Sequence, residues 1–280
     1  MSRTREVQVL GRAAGAPALD RVAVEEPLEI RVEGQALAVL LRTPGDDREL
    51  VAGFLFGEGL IDGADDLAAL APCRDPSSAE AAGAESNRWN VRLQPGCSGL
   101  GQRLEAARRR FTAGASCGLC GKASIESLAQ VVRPHPSHAV VEASLLAEAT
   151  GRAREHQALF DRTGGTHCAA LFGPAPERAL LGVAEDVGRH NAVDKLVGRM
   201  LLDERLPDAS CVLWLSGRVS FEMVQKALLA GVGAVVAAGA PTSLAVALAR
   251  ANRLTLHAFA ADGRYNLYAG AGLEEAEVTP

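Results

Sequence analysis

Cys117 and Cys120 stand two residues apart within Ser116-Cys117-Gly118-Leu119-Cys120-Gly121-Lys122. A thiol pair at this spacing binds a metal, cycles through a disulfide or carries sulfur. Structural zinc wants four Cys or His ligands, normally as two close pairs. The other cysteines, Cys73, Cys97, Cys168 and Cys211, are isolated, and among the histidines only His167 adjoins one, at Cys168. Adjacent residues suit one tetrahedral ion poorly, so no metal site is expected. A thioredoxin-like centre needs its first cysteine at the end of an apolar strand that feeds a helix. The preceding Arg108-Arg109-Arg110-Phe111-Thr112-Ala113-Gly114-Ala115 does not read as a strand. The following Lys122 to Val132 patterns as a short helix with Ile125, Leu128 and Val131 on one side. The thiols then lie on a glycine-rich loop near a helix N-terminus, where exposed amides and Lys122 favour a thiolate.

The elements that must position such a loop belong to a globular chain. Its 280 residues are 48% hydrophobic and 22% charged, enough for one large core or two ordinary ones. A net charge of -5 excludes a general nucleic-acid binder. The charged N-terminus has no apolar stretch of a signal peptide, and six unevenly spaced cysteines suit a reducing cytoplasm. Residues 227 to 249 carry no charge, yet Ala and Gly dominate and Gly239-Ala240-Pro241-Thr242-Ser243 breaks the run. That composition argues for a buried strand, a turn and a capped helix, with no membrane span. Cations are 26 arginines and three lysines, Lys122, Lys195 and Lys226. Such a bias reads as arginine wherever a surface cation suffices and lysine where a compact, deprotonatable charge is needed.

The first part reads as mixed α+β. Leu28 to Val32 and Ala36 to Arg42 pattern as strands across a Gly34-Gln35 turn, and Asp46-Asp47 as the cap of a helix ending near Gly57 to Gly59. Residues 72 to 88 read as loop, followed by a strand at Trp89 to Leu93. Further on, a helix carries Val193, Leu196, Val197, Met200 and Leu201. Apolar strands at Cys211 to Leu215, Ala234 to Ala238 and Leu254 to Ala260 alternate with helices, and a last strand covers Tyr265 to Tyr268. That alternation predicts a parallel sheet with helices on its faces. The expected divisions are an N-terminal part at 1–115, the C-x-x-C loop and helix at 116–135, and an α/β cofactor-binding part at 136–280.

Ligands in such sheets sit outside the carboxyl ends of the strands. Ser216, Gly217, Arg218, Thr242, Ser243 and Arg264 are therefore expected on one rim, where helix N-terminal amides and arginines suit phosphate. His167, after Gly164-Gly165, is a further candidate for touching ligand. Asp186 also reads as a helix cap, and Glu222 with Lys226 as an i,i+4 surface pair.

Six motifs in order from about residue 20 to 270 resemble the formate dehydrogenase accessory sulfurtransferases, the FdhD/NarQ family. They are Gly53 to Gly59, Ser116 to Lys122, Thr163 to His167, Glu185 to Lys195, Ser216 to Glu222 and Ala240 to Ala245. The resemblance implies a cytoplasmic homodimer whose larger part has a cytidine-deaminase-like layered α/β sheet with helices on both faces. It implies sulfur passed as a persulfide from a cysteine desulfurase to bis(molybdopterin guanine dinucleotide), bound as substrate before that cofactor enters formate dehydrogenase. GDP then serves as an analogue of the nucleotide ends. The family's active cysteine maps onto Cys117 with Cys120 beside it, and its cofactor-binding stretch onto Phe259, Ala260, Ala261, Asp262, Gly263 and Arg264. Ala261 stands where many members have arginine, and Cys168 where many have alanine.

Two other classes compete. A zinc-dependent deaminase pairs H-x-E with a C-x-x-C after proline; no H-x-E occurs here and Cys117 follows Ser116. A non-catalytic nucleotide-cofactor chaperone would bind its cargo and keep its activity without the thiols.

Overall fold

In the computed structural model, the residues described are 2–10, 17–73, 87–95, 100–113, 134–261 and 263–273. The pair Cys117 and Cys120, together with Lys122, the 122–132 helix and Asp262, lies outside them. The described residues form two compact units. One gathers those of Met1–Leu128, Gln157–His167 and Glu185–Glu204, and the other those of Ala129–His156, Cys168–Ala184 and Arg205–Pro280.

The first unit holds a two-stranded antiparallel ribbon, β1 (Thr4–Leu10) with β2 (Pro17–Ala23). It also holds a four-stranded sheet in the order β4 (Gln35–Arg42), β3 (Glu26–Val32), β6 (Arg88–Leu93), β5 (Leu67–Pro72). Helices α1 (Asp47–Gly57), α2 (Leu100–Ala113), α4 (Ala158–Thr163) and α5 (Arg189–Leu202) complete it. The β3–β4 turn is made by Glu33 and Gly34, both at positive φ, one residue earlier than the expected Gly34-Gln35. Such a turn matches the twist of the two strands. The expected cap also shifts. Asp46 occupies the left-handed region and its side chain makes no cap hydrogen bond. Asp47 instead lies in the first turn and accepts a bidentate pair from Arg42 at 2.9 and 2.8 Å, both side chains buried.

Helices α1 and α5 touch backbone to backbone. A Cβ on Gly53 would stand 1.9 Å from the Asp194 carbonyl, and one on Gly198 would stand 1.9 Å from that of Glu49. Only glycine at both positions permits this approach. Gly53→Ala is expected to force the helices apart, at a cost near the upper end of overpacking, about 3 kcal/mol. Thermal unfolding checks it, as a melting temperature lower by roughly 5 °C or more.

At the end of β8 (Leu180–Asp186), Asp186 is not the helix cap expected: the N-cap of α5 is Gly188, and Asp186 anchors a buried network. Its Oδ2 sits 2.7 Å from Lys195 Nζ, with both side chains fully buried, and accepts from Thr43 N at 3.0 Å. Its Oδ1 accepts from Gly188 N at 2.8 Å and Asn191 Nδ2 at 2.9 Å. Lys195 also donates to the Thr43 carbonyl at 2.7 Å. Lys226, expected at the surface, is buried as well.

The second unit is built on a six-stranded sheet ordered β12 (Arg264–Ala269), β11 (Thr255–Ala261), β10 (Ala234–Ala237), β9 (Val212–Leu215), β7 (His167–Phe172), β8. Strands β9, β10 and β11 are parallel as expected, whereas β7 runs antiparallel to β9 and β12 antiparallel to β11, so the sheet is mixed. Strand β12 follows β11 across a connection too short for a crossover. On one face, α3 (Ala143–Arg154) packs Leu145, Leu146, Ala149 and Ala153 against Cys168, Phe172, Trp214 and Val236. The crossovers through α6 (Phe221–Leu229) and α7 (Ser243–Ala251) advance in one direction across the sheet, from β9 to β10 to β11.

Arg178 ties this unit together. It is buried, and its guanidinium donates to Glu142 at 2.9 and 3.2 Å and to the carbonyls of Gly173, Ser210 and Val140. The Arg178 hydrogen bond holds the Glu142 carboxyl below the usual carboxylate range. Among the described residues, no helix is long and apolar enough to cross a membrane.

Candidate functional site

The three parallel strands end on one edge of the second unit. Ser216, Gly217 and Arg218 follow β9, the run 238–242 follows β10, and β11 ends at Ala261. These segments are stapled by main-chain hydrogen bonds. Ala238 N donates to Leu215 O at 2.9 Å, Val219 N to Ala240 O at 3.0 Å, Thr242 N to Val219 O at 3.0 Å and Phe259 N to Gly239 O at 3.4 Å. The approach is close enough that a Cβ on Gly239 would meet Gly217 at 2.6 Å. The rim is therefore set before any ligand arrives, which lowers the ordering cost of binding.

Beside this edge, a cavity of about 860 Å³ is lined by Ala238, Phe259, Ala261, Gly263, Arg264, Tyr265 and Asn266. It exists because β11 and β12 slip in register between Ala258 and Ala261. Phe259 sits in that irregularity at φ 55, a left-handed conformation that is costly for a bulky residue and recurs at ligand sites. The distortion leaves its side chain outside the core, 47% exposed, and Tyr265 is 40% exposed. His257 lies under Tyr265, edge to face at 5.4 Å. It is buried with no hydrogen-bond partner for Nδ1, and burial pulls its pKa below the ordinary histidine value.

Of the residues expected here, Phe259, Ala261, Gly263 and Arg264 line the cavity, and Arg218, Thr242, Ser243 and Arg264 are exposed. Thr242 already spends its amide on Val219 and its hydroxyl on the amide of Ala245 at 3.4 Å, as the N-cap of α7. Ser243 stands in the first turn of that helix, where amides have no intrahelical acceptor. Ser216 is half-buried, and its Oγ accepts from Cys168 N at 2.8 Å. Ala260 is buried in the core beneath α3, with its carbonyl taken by Thr150. His167 opens β7, half-buried, and belongs to the first unit. Asn266 was not among the candidates. Its signal was the strand alternation that sets it on the same face as Arg264, two residues earlier.

The sequence model described as the FdhD/NarQ family matches residues 23–273. A protein of Mycobacterium tuberculosis named sulfur carrier protein FdhD is 44% identical over 252 residues, covering 89% of this chain and 90% of that one. A protein of the same name from Streptomyces avermitilis is 46% identical over 257 residues, covering 90% and 88%. A crystal structure from Desulfotalea psychrophila, described as a formate dehydrogenase accessory protein, superposes with a TM-score of 0.70 at 22% identity. It covers 96% of this chain and 97% of the other, which supports the fold.

Proposed function

The chain belongs to the FdhD/NarQ family, and on that premise we propose that it carries sulfur for the maturation of formate dehydrogenase. The observation that carries this reading is the name shared by relatives 44 to 46% identical across about nine tenths of the chain, in a sequence that holds Cys117 and Cys120. In the finer reading a cysteine desulfurase supplies the sulfur. The Cys117 thiolate attacks the terminal sulfur of the donor's persulfide. An S–S bond forms on Cys117, the donor's S–S bond breaks, and the donor leaves as a thiolate. The recipient is bis(molybdopterin guanine dinucleotide), handled as substrate by a cytoplasmic homodimer and delivered to formate dehydrogenase.

The cavity at the β11–β12 irregularity suits one nucleotide end of such a substrate. Phe259 and Tyr265 offer apolar ring surface for a base, while Arg264 and Arg218 offer charge for phosphate. The test is incubation of the full chain with a cysteine desulfurase and cysteine, read by intact mass. One added sulfur per chain, passed on when cofactor is supplied, is the expected result. A chain that stays unmodified while formate dehydrogenase still matures in its presence would sink the reading.

Arg264→Ala is expected to weaken GDP about tenfold or more, the loss of one charge-assisted hydrogen bond of about 1.5 to 3 kcal/mol. Calorimetric titration measures it. Unchanged affinity in both Arg264→Ala and Arg218→Ala would move the site elsewhere.

A further inference from the structure

Along β12 the residues Arg264, Asn266 and Tyr268 alternate onto one face of the strand. Asn266 is exposed and lines the cavity, and its Nδ2 donates to Tyr268 Oη at 3.5 Å. The Tyr268 ring in turn lies 6.4 Å from that of Phe259, tilted by 42°. Phe259 and Tyr268 thus stand together beside the Asn266 carboxamide. A carboxamide has two N–H donors and a carbonyl with two lone pairs. With one donor held by Tyr268, one N–H and the carbonyl oxygen remain for a ligand in the cavity.

We infer that Asn266 reads the edge of the nucleotide base, accepting from a ring N–H and donating to the neighbouring exocyclic oxygen. That donor–acceptor pair is the 6-oxopurine edge, the N1–H and O6 of guanine. The assignment rests on the cavity holding a guanine nucleotide end, and it adds the residue that reads the hydrogen-bonding edge of the base. Phe259 and Tyr265 supply stacking that every base satisfies, and Arg264 supplies charge that every diphosphate satisfies. Among the described lining side chains, the Asn266 carboxamide carries its donor and its acceptor on two neighbouring atoms, whereas the Tyr265 hydroxyl carries both on one oxygen.

The test is a binding cycle on the full chain with GDP and with GDP methylated at N1, which lacks the ring proton. The unaltered protein is expected to bind GDP roughly three- to tenfold tighter than the methylated form, the worth of one neutral hydrogen bond. Asn266→Ala is expected to bind both alike. Tyr268→Phe, which removes the hydroxyl partner of the carboxamide, should give a ratio between the two. A preference for GDP that persists undiminished in Asn266→Ala overturns the assignment of Asn266 and leaves the guanine site standing. Equal affinity of the unaltered protein for both nucleotides overturns it as well. Absence of GDP binding by the unaltered protein overturns both the inference and the nucleotide reading beneath it.

Discussion

Cys117→Ala is expected to accept no sulfur from a cysteine desulfurase and to leave formate dehydrogenase inactive. The transfer needs a nucleophile able to attack sulfane sulfur, and among protein groups a thiolate does this at neutral pH. A methyl group in its place removes the attacking electron pair, so the loss is complete. Cys120→Ala is expected to remain sulfurated and to deliver sulfur more slowly. In this scheme its thiolate attacks the Cys117 persulfide, the S–S bond to the outer sulfur breaks, and hydrosulfide leaves as a Cys117–Cys120 disulfide forms. An external dithiol then reduces that disulfide. GDP affinity and melting temperature in Cys117→Ala separate lost chemistry from lost fold, since neither should change. If the variant gains sulfur normally and still supports maturation, the role passes to Cys120 or to neither thiol.

The second large effect lies at Asp186 and Lys195. Removing one partner of a buried ion pair strands the other charge, at a cost of about 3 to 5 kcal/mol. The two single variants are not expected to be equal. Lys195→Met leaves the Asp186 carboxylate with three donors, from Thr43, Gly188 and Asn191. Asp186→Ala leaves a buried ammonium with the Thr43 carbonyl and frees those three donors at once. Denaturant unfolding should therefore rank Asp186→Ala as the more damaging. The reverse order would mean that the stranded carboxylate costs more than the stranded ammonium and the three freed donors together.

The lysine bias in the sequence was informative at these positions. Two of the three lysines are buried, Lys195 in that network and Lys226 on α6. Its complement, arginine as a surface cation, fails at Arg42 and Arg178, both buried. Each holds a carboxylate through two nitrogens, a geometry that a planar fork meets and an ammonium does not. The strands β9 to β11 and the helices between them were legible from apolar runs and glycine punctuation. The direction of the flanking strands was not, because β7 is a short Ala-rich run whose period does not distinguish strand from helix. At the candidate site, the strand-end rule located the edge. The cavity itself depends on a register slip and on one phenylalanine held at positive φ, and both are decided by neighbouring strands.

The interleaving of the two units bears on how the chain is made. All three segments of the first unit have been translated by Glu204, whereas the second still awaits Arg205–Pro280, which carries β9 to β12 and the whole strand-end rim. On the ribosome the earlier unit has its complete sequence while 129–156 and 168–184 still await the rest of theirs. A premature stop near residue 204 then spares the parts of one unit and removes the nucleotide edge altogether. No single cut of the gene yields either unit alone, so the two are inherited together.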